Sequence, residues 1–98
     1  MEIQKIVEDN KLTVSLTGRL DTITAPELET ELNASMDNVS DLILDFSDLI
    51  YLSSAGLRII LSTQKQMNKK GSLTIRGANE TIMEIFEATG FKDFLNFE

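Results

Sequence analysis

Cysteine, histidine and tryptophan are all missing from this chain of 98 residues. The lack of cysteine excludes disulfides and thiol chemistry, and it is typical of proteins that work in a reducing compartment. The lack of histidine removes the commonest general base, the usual catalytic triads and nearly all zinc or copper sites. An enzyme is therefore the least expected class of protein, and neither a metal nor a cofactor is predicted.

Long hydrophobic runs and positive charge are also scarce. No run approaches the ~20 apolar residues that a bilayer span needs, and the start of the chain, MEIQKIVEDN, has no apolar core of signal-peptide length. Nine basic side chains against sixteen acidic ones give a net charge of −7, a poor basis for neutralising nucleic acid phosphates. We therefore expect a cytoplasmic protein that binds neither membranes nor nucleic acid.

The apolar residues that are present include several segments with strand spacing. In residues 12–16, leucine and valine alternate with polar residues, which predicts a strand that ends at Gly18 and forms a hairpin with a first strand at residues 3–7. Residues 42–46, LILDF, are almost continuously apolar and predict a central strand that is covered on both faces or paired in parallel. Residues 73–76 alternate again and predict another strand.

Three helices are predicted between and after these strands. Thr24 should cap the first helix, and Glu27 should complete a capping box with it. The second helix should run for roughly four turns, with apolar side chains at helical spacing from Leu57 to Met67, and should end at Lys69-Lys70 and Gly71. Asn79 is the expected cap of the third helix, which should stop at Gly90.

The predicted order is β-β-α-β-α-β-α, followed by an apolar tail that forms a last turn or a short strand. This order predicts one α/β domain over residues 1–98, with a mixed, largely parallel sheet of four to five strands and helices packed on it. The segment from Ser47 to Ser54 would then be a loop beyond the carboxyl end of a strand, where functional sites of such sheets lie.

The stretch YLSSAGLRIIL, residues 51–61, places two hydroxyls, an alanine and a glycine where a helix should begin. Either Ser53 or Ser54 should lie at or beside the N-cap. Because the first turn of a helix has free N–H groups and Ala55 and Gly56 add little bulk, a phosphate could be bound there or carried on the serine. The same residues also fit a plain helix cap with close packing, and spacing alone leaves both interpretations open.

The segment LILDFSDLIYLSSAGLRIIL, residues 42–61, resembles the signature of the STAS domain, and specifically of the stand-alone anti-sigma factor antagonists. Members of that family show an apolar strand, a short loop with an aspartate, and then Asp-Ser-Ser/Thr-Gly-Leu-Gly opening a helix. TGRLD, GSLTIRGAN and IFEATGF are similar to other segments of the family. The resemblance follows the whole chain in order and implies the STAS fold.

The resemblance implies that Ser54, two residues before Gly56, is the phosphorylated residue, with Ser53 as the runner-up. Three positions depart from the family pattern: Ser53 stands where many members have aspartate, Ala55 where they have a second serine or threonine, and Arg58 where they have glycine. The residues implied to bind a partner are Asp21, Asp45, Ser53, Ala55, Gly56, Leu57 and Arg58. For the two aspartates, ordinary turn and cap chemistry is an equally good interpretation.

The function implied by the resemblance is a switch between protein partners. The unmodified chain would bind an anti-sigma factor that is a serine kinase and so release the sigma factor. Phosphorylation of Ser54 would break that complex, and a metal-dependent serine phosphatase would reverse it. The free chain is expected to be a monomer. The alternative is a STAS adaptor subunit of a transport assembly that is never phosphorylated.

A basic stripe on the second predicted helix is the remaining pattern of interest. Arg58, Lys65 and Lys69 recur on one side of this helix in an otherwise acidic chain. Such a stripe is usually a solvated helix face, because surface ion pairs contribute little. The other interpretation is a contact with an acidic patch on a partner.

Overall fold

The computed structural model describes all residues from Met1 to Glu98. The strands are β1 (Glu2–Glu8), β2 (Lys11–Leu20), β3 (Asp41–Leu52), β4 (Ser72–Arg76) and β5 (Asn96–Phe97). The helices are α1 (Ala25–Ser35), α2 (Ser54–Met67) and α3 (Glu80–Ala88), and a 3-10 turn follows at Phe91–Asp93. None of these helices combines the length and the apolarity that crossing a bilayer requires.

The five strands form one sheet in the order β1-β2-β3-β4-β5. β1 pairs with β2 antiparallel, whereas the pairs β2–β3, β3–β4 and β4–β5 are all parallel. The apolar tail supplies the fifth strand, which pairs with β4 at Thr74 and Ile75. The predicted mixed, largely parallel sheet of an α/β fold is confirmed.

All three helices pack on one face of the sheet, to which β2, β3 and β4 turn buried apolar side chains. On β2 these are Leu12, Val14 and Leu16, and they belong to the same buried cluster as the inward residues of the helices. The helix residues in that cluster are Ala25, Leu28, Leu32, Leu57, Ile60, Met67, Ile82 and Phe86. One continuous core therefore fixes the position of every helix against the sheet.

Gly18 does not end β2, as its sequence context predicted. The strand continues to Leu20, and the parallel register with β3 shifts between Ser15 and Thr17 and again between Gly18 and Arg19. Gly18 has a φ of +108°, a conformation that costs glycine little, so it lets the strand pass through an irregularity and then resume pairing.

The prediction of a loop from Ser47 to Ser54 is also wrong, because β3 continues to Leu52. The extension of β2 provides a partner for this part of β3, with Leu20 opposite Leu52, although β4 has already ended at the pair Asp45–Arg76. The register shifts disturb the two-residue period here, so the pattern in the sequence did not look like a strand.

The helix starts were predicted with mixed success. Asn79 caps α3 by accepting a hydrogen bond from the Ile82 N–H at 2.9 Å, as expected. The capping box of Thr24 and Glu27 does not form. The Thr24 hydroxyl instead accepts from the Asp21 N–H at 2.8 Å and lies 2.7 Å from the Arg19 carbonyl, to which it donates. Thr24 therefore closes the turn before α1 instead of capping the helix.

Candidate functional site

The start of α2 is held by Ser53, which is the N-cap of this helix. Its backbone is extended, and its side-chain oxygen accepts a hydrogen bond from the Gly56 N–H at 3.3 Å. Its own N–H donates to the Leu20 carbonyl at 2.9 Å, which ties the cap to the end of β2. Ser54 is the first helical residue, and its side chain is exposed to solvent. The two serines therefore have separate tasks, and the hydroxyl of Ser54 is not the one that caps the helix.

This division predicts different effects for two alanine substitutions. Ser53→Ala should lower the free energy of unfolding by about 1 kcal/mol, the usual cost of losing an N-cap side chain. Ser54→Ala should change it by less than about 0.5 kcal/mol, because the exposed first helical position tolerates alanine well. Urea unfolding followed by circular dichroism measures both values. Equal losses for the two variants would contradict the assignment of Ser53 as the cap.

Gly56 allows α2 to approach the sheet closely. A Cβ atom at this residue would lie 2.7 Å from Leu20 Cγ and 2.8 Å from Leu52 Cδ1. The space beside Gly56 is thus filled by Leu20 and Leu52 and leaves no room for an anion. Close packing therefore explains why this residue is a glycine. Leu57 is likewise buried, whereas Arg58 is exposed and Ala55 is half-buried. Ser54 and Arg58 are thus the fully exposed side chains here, and Ser53 and Ala55 are partly accessible.

Asp21 lies directly after β2, at the same end of the sheet as the start of α2. One carboxylate oxygen accepts hydrogen bonds from the N–H groups of Ile23 and Thr24, each at 3.0 Å. These bonds, that from Thr24 most of all, lower the pKa of Asp21 below its ordinary value, with a smaller contribution from the charge of Arg19. Asp21 is therefore ionised at neutral pH and shapes the turn that precedes α1.

Asp45 is not brought to this site. It lies in the middle of β3, opposite Ser15 on one side and Arg76 on the other. Seven residues of strand, about 20 Å, separate it from Leu52 at the end of β3. The Ser47 hydroxyl donates to its carboxylate at 2.6 Å and is the main reason that the pKa of Asp45 is lowered. Asp45 therefore organises the backbone of its own strand, and it lies neither in a turn after the strand nor beside the start of α2.

Three exposed apolar residues at the end of the sheet where α2 begins were not predicted from the sequence. Ile23 is 81% exposed in the turn before α1, Ile50 is 65% exposed on β3, and Tyr51 lies beside it with its ring under the guanidinium of Arg19, 4.2 Å away. They share one end of the sheet with Ser54, because Arg19 pairs with Tyr51 and Leu20 with Leu52. We call Ile23, Ile50, Tyr51 and Ser54, which are all exposed at this end of the sheet, the Ser54 face.

A signal for these residues was present in the sequence. Leu49 to Leu52 are four consecutive apolar residues, and a strand cannot turn all four toward one side because its side chains alternate. The Ser54 face thus combines a solvent-exposed hydroxyl with apolar surface and one stacked cation. No group of three or more acidic side chains is close enough together to hold a metal ion. The arrangement is suited to contact with another protein.

Comparison with known proteins agrees with this description. The family model of the STAS domain matches residues 2–98. An anti-sigma-B factor antagonist of Staphylococcus aureus is 32% identical over 98 residues, which is 98% of this chain and 91% of that protein. The crystal structure of an anti-sigma factor antagonist from Mycobacterium paratuberculosis superposes with a TM-score of 0.87 at 24% identity, over 98% of this chain and 83% of the other.

The phosphorylated form of the Bacillus cell fate determinant SpoIIAA shares the fold as well. It superposes with a TM-score of 0.78 at 17% identity, over 99% of this chain and 91% of the other. The family match covers nearly every residue, including the start of α2. The similarity to the staphylococcal protein covers 98% of the chain as well. The chain belongs to the STAS domain family, among the anti-sigma factor antagonists.

Proposed function

We propose that this protein is an anti-sigma factor antagonist whose binding is switched by phosphorylation of Ser54. Unmodified, it binds an anti-sigma factor that is a serine kinase, and the sigma factor is released. Phosphorylation of Ser54 breaks this complex, and a metal-dependent serine phosphatase restores the unmodified form. The protein is thus a substrate and a competitor, and ATP and Mg²⁺ belong to the kinase.

The observation that carries this proposal is the exposed, non-capping hydroxyl of Ser54 at the start of α2. Ser53 satisfies the helix end, so Ser54 can be modified without removing a bond that holds α2. Ile23 and Ile50, at the same end of the sheet, expose most of their side chains and are available for contact with a partner. The relatives supply the class of partner, because they are named as antagonists of anti-sigma factors.

The two effects of a phosphate at Ser54 differ in sign. Within the free domain, about −1.5 to −2 charges at a helix N-terminus are favourable by about 0.3–1 kcal/mol. Within a protein interface the same charges must lose water or face like charges, which costs several kcal/mol. Since each ~1.4 kcal/mol is a factor of ten in affinity, the complex weakens strongly while the domain stays folded.

The chemical steps are simple for this protein. The Ser54 oxygen attacks the γ-phosphorus of ATP held by the kinase, the bond to the leaving ADP breaks, and the hydroxyl proton passes to a base on the kinase. In the reverse direction a water molecule attacks the phosphorus of phosphoserine, and the products are serine and inorganic phosphate. The phosphorylated form of the Bacillus neighbour supports a modification of this kind.

Binding to the anti-sigma factor from the same organism tests the proposal. Ser54→Asp should weaken binding about a hundredfold, because one buried or opposed charge costs about 2.7 kcal/mol in an interface. Ser54→Ala should bind within about threefold of the wild-type protein. Ser62→Asp, which adds the same charge at an exposed serine two turns further along α2, is the matched control. Isothermal titration calorimetry measures all four affinities.

Two results would contradict the proposal. If Ser54→Asp binds as tightly as the wild-type protein, the face does not sense charge, and a permanent adaptor becomes the better description. If incubation with the kinase and ATP modifies a residue other than Ser54, as mapped by mass spectrometry of peptides, the switch lies elsewhere.

A further inference from the structure

Ser54 and Arg58 lie one turn apart on α2 and line the same cavity. The cavity has a volume of about 320 Å³ and is open to solvent. Its other lining residues are Leu57, Leu61, Thr89 and Phe91. Residues four apart on a helix have Cβ atoms about 5–6 Å from each other, a distance that an arginine side chain spans easily. The guanidinium of Arg58 can therefore reach any group that is carried on the Ser54 oxygen.

Arg58 has no anionic partner in the unmodified chain. The four ion pairs of the structure lie elsewhere: Lys5–Glu31, Arg19–Asp21, Arg76–Glu98 and Lys92–Glu87. Helix α2 contains no aspartate or glutamate between Ser54 and Met67. Arg58 is one of five basic side chains that form no ion pair, and among these five it alone lines the cavity that Ser54 also lines.

The charged groups on neighbouring elements do not occupy Arg58 either. In the segment after α3, Lys92 is held by Glu87 at 2.8 Å, and Asp93 follows it in the 3-10 turn. In the turn before α1, Asp21 is engaged by the N–H groups of its own turn and lies 3.9 Å from Arg19. The next cation on α2, Lys65, lines a different cavity.

We infer that Arg58 binds the phosphoryl group of modified Ser54 as an intrahelical pair across this cavity. The inference rests on the proposed function, since it concerns the modified state. The planar guanidinium donates two parallel hydrogen bonds to phosphate oxygens, a geometry that lysine cannot reproduce. Leu57 and Leu61 on the cavity wall exclude part of the water that would otherwise screen the pair. Modification then has two effects on the surface. It adds a phosphate, and it withdraws the guanidinium of Arg58 from contact with a partner.

The test uses protein with phosphoserine installed at position 54 during translation, so no kinase is needed. Phosphorus NMR follows the second ionisation of the phosphate, whose pKa is about 6 when it is unpaired. We expect this pKa to be lower by roughly half to one pH unit in the wild-type protein than in Arg58→Gln, because a nearby cation favours the dianion. Arg58→Lys should fall between them. Lys65→Gln, which removes a charge from the same helix outside this cavity, should match the wild-type protein.

A second readout reports on the arginine itself. The Nε–H resonance of Arg58 should shift when phosphoserine replaces serine, and its exchange with water should slow at least severalfold because the proton is hydrogen-bonded. Equal phosphate pKa values in the wild-type and Arg58→Gln proteins, or an unchanged Arg58 resonance, would overturn the inference and leave the proposed function standing. Failure of the kinase to modify Ser54 would refute the proposed function without altering the outcome of this measurement.

Discussion

Replacing Gly71 with alanine should lower the free energy of unfolding by about 3–5 kcal/mol, the largest loss expected from a single methyl group in this protein. A Cβ atom at Gly71 would lie 1.7 Å from the Ser40 carbonyl oxygen and 2.6 Å from its carbon. Both are backbone atoms, so no change of rotamer relieves the clash. The same Ser40 carbonyl accepts the Ser72 N–H at 2.9 Å, and the segments entering β3 and β4 would have to separate.

Urea unfolding of Gly71→Ala and Gly90→Ala side by side measures this effect. Gly90 has a φ of +78° and nothing within 4 Å of the position of a new Cβ, so alanine there should cost only about 1–2 kcal/mol from backbone strain. If the two variants lose the same stability, the contact between Gly71 and Ser40 relaxes cheaply, and its role in holding the two segments together would be refuted.

Replacing Phe86 with alanine should cost about 3–5 kcal/mol, because the ring is completely buried and its removal leaves a cavity. Phe86 also connects α3 with the end of the chain. Its ring lies edge-on to that of Phe97 with centroids 5.3 Å apart. Since β5 has only two residues, this aromatic pair is a large part of what holds it against β4.

Thermal unfolding and amide hydrogen exchange together test this prediction. In Phe86→Ala the amide of Glu98, which donates to the Ile75 carbonyl at 2.9 Å beside β5, should exchange faster than the global loss of stability accounts for. Phe94→Ala is the control, because Phe94 is 67% exposed and its removal should cost less than about 0.5 kcal/mol. Protection of the Glu98 amide that falls only in proportion to global stability would show that Phe97 does not depend on Phe86.

Much of the fold followed from local patterns in the sequence. The alternation on β2 and the Asn79 cap depend on neighbouring residues, so they could be predicted. The continuation of β3 to Leu52 could not, because it depends on β2 passing through Gly18 and offering a partner strand. The same is true of Thr24, whose hydroxyl is taken by the Arg19 carbonyl and the Asp21 N–H instead of by its own helix.

The candidate site was predictable in its position and less so in its details. The Ser-Ser-Ala-Gly pattern located the start of α2, but only the backbone showed that Ser53 is the cap and that Ser54 begins the helix. The family resemblance implied that Asp45 belongs with these serines, yet an extended strand carries it far from them. The exposure of Ile23 depends on how its turn leaves the sheet, which no local pattern specifies.

The assignment of the helix cap to Ser53 has a consequence for how long such a regulator lasts. On the proposed function, each round of phosphate addition and removal acts on a hydroxyl that the folded state does not use. The unfolded fraction, which proteases and chaperones act on, then does not rise when the phosphate is added. One copy can be recycled many times, and the duration of a cellular response is set by the opposing rates of the two modifying enzymes instead of by new synthesis.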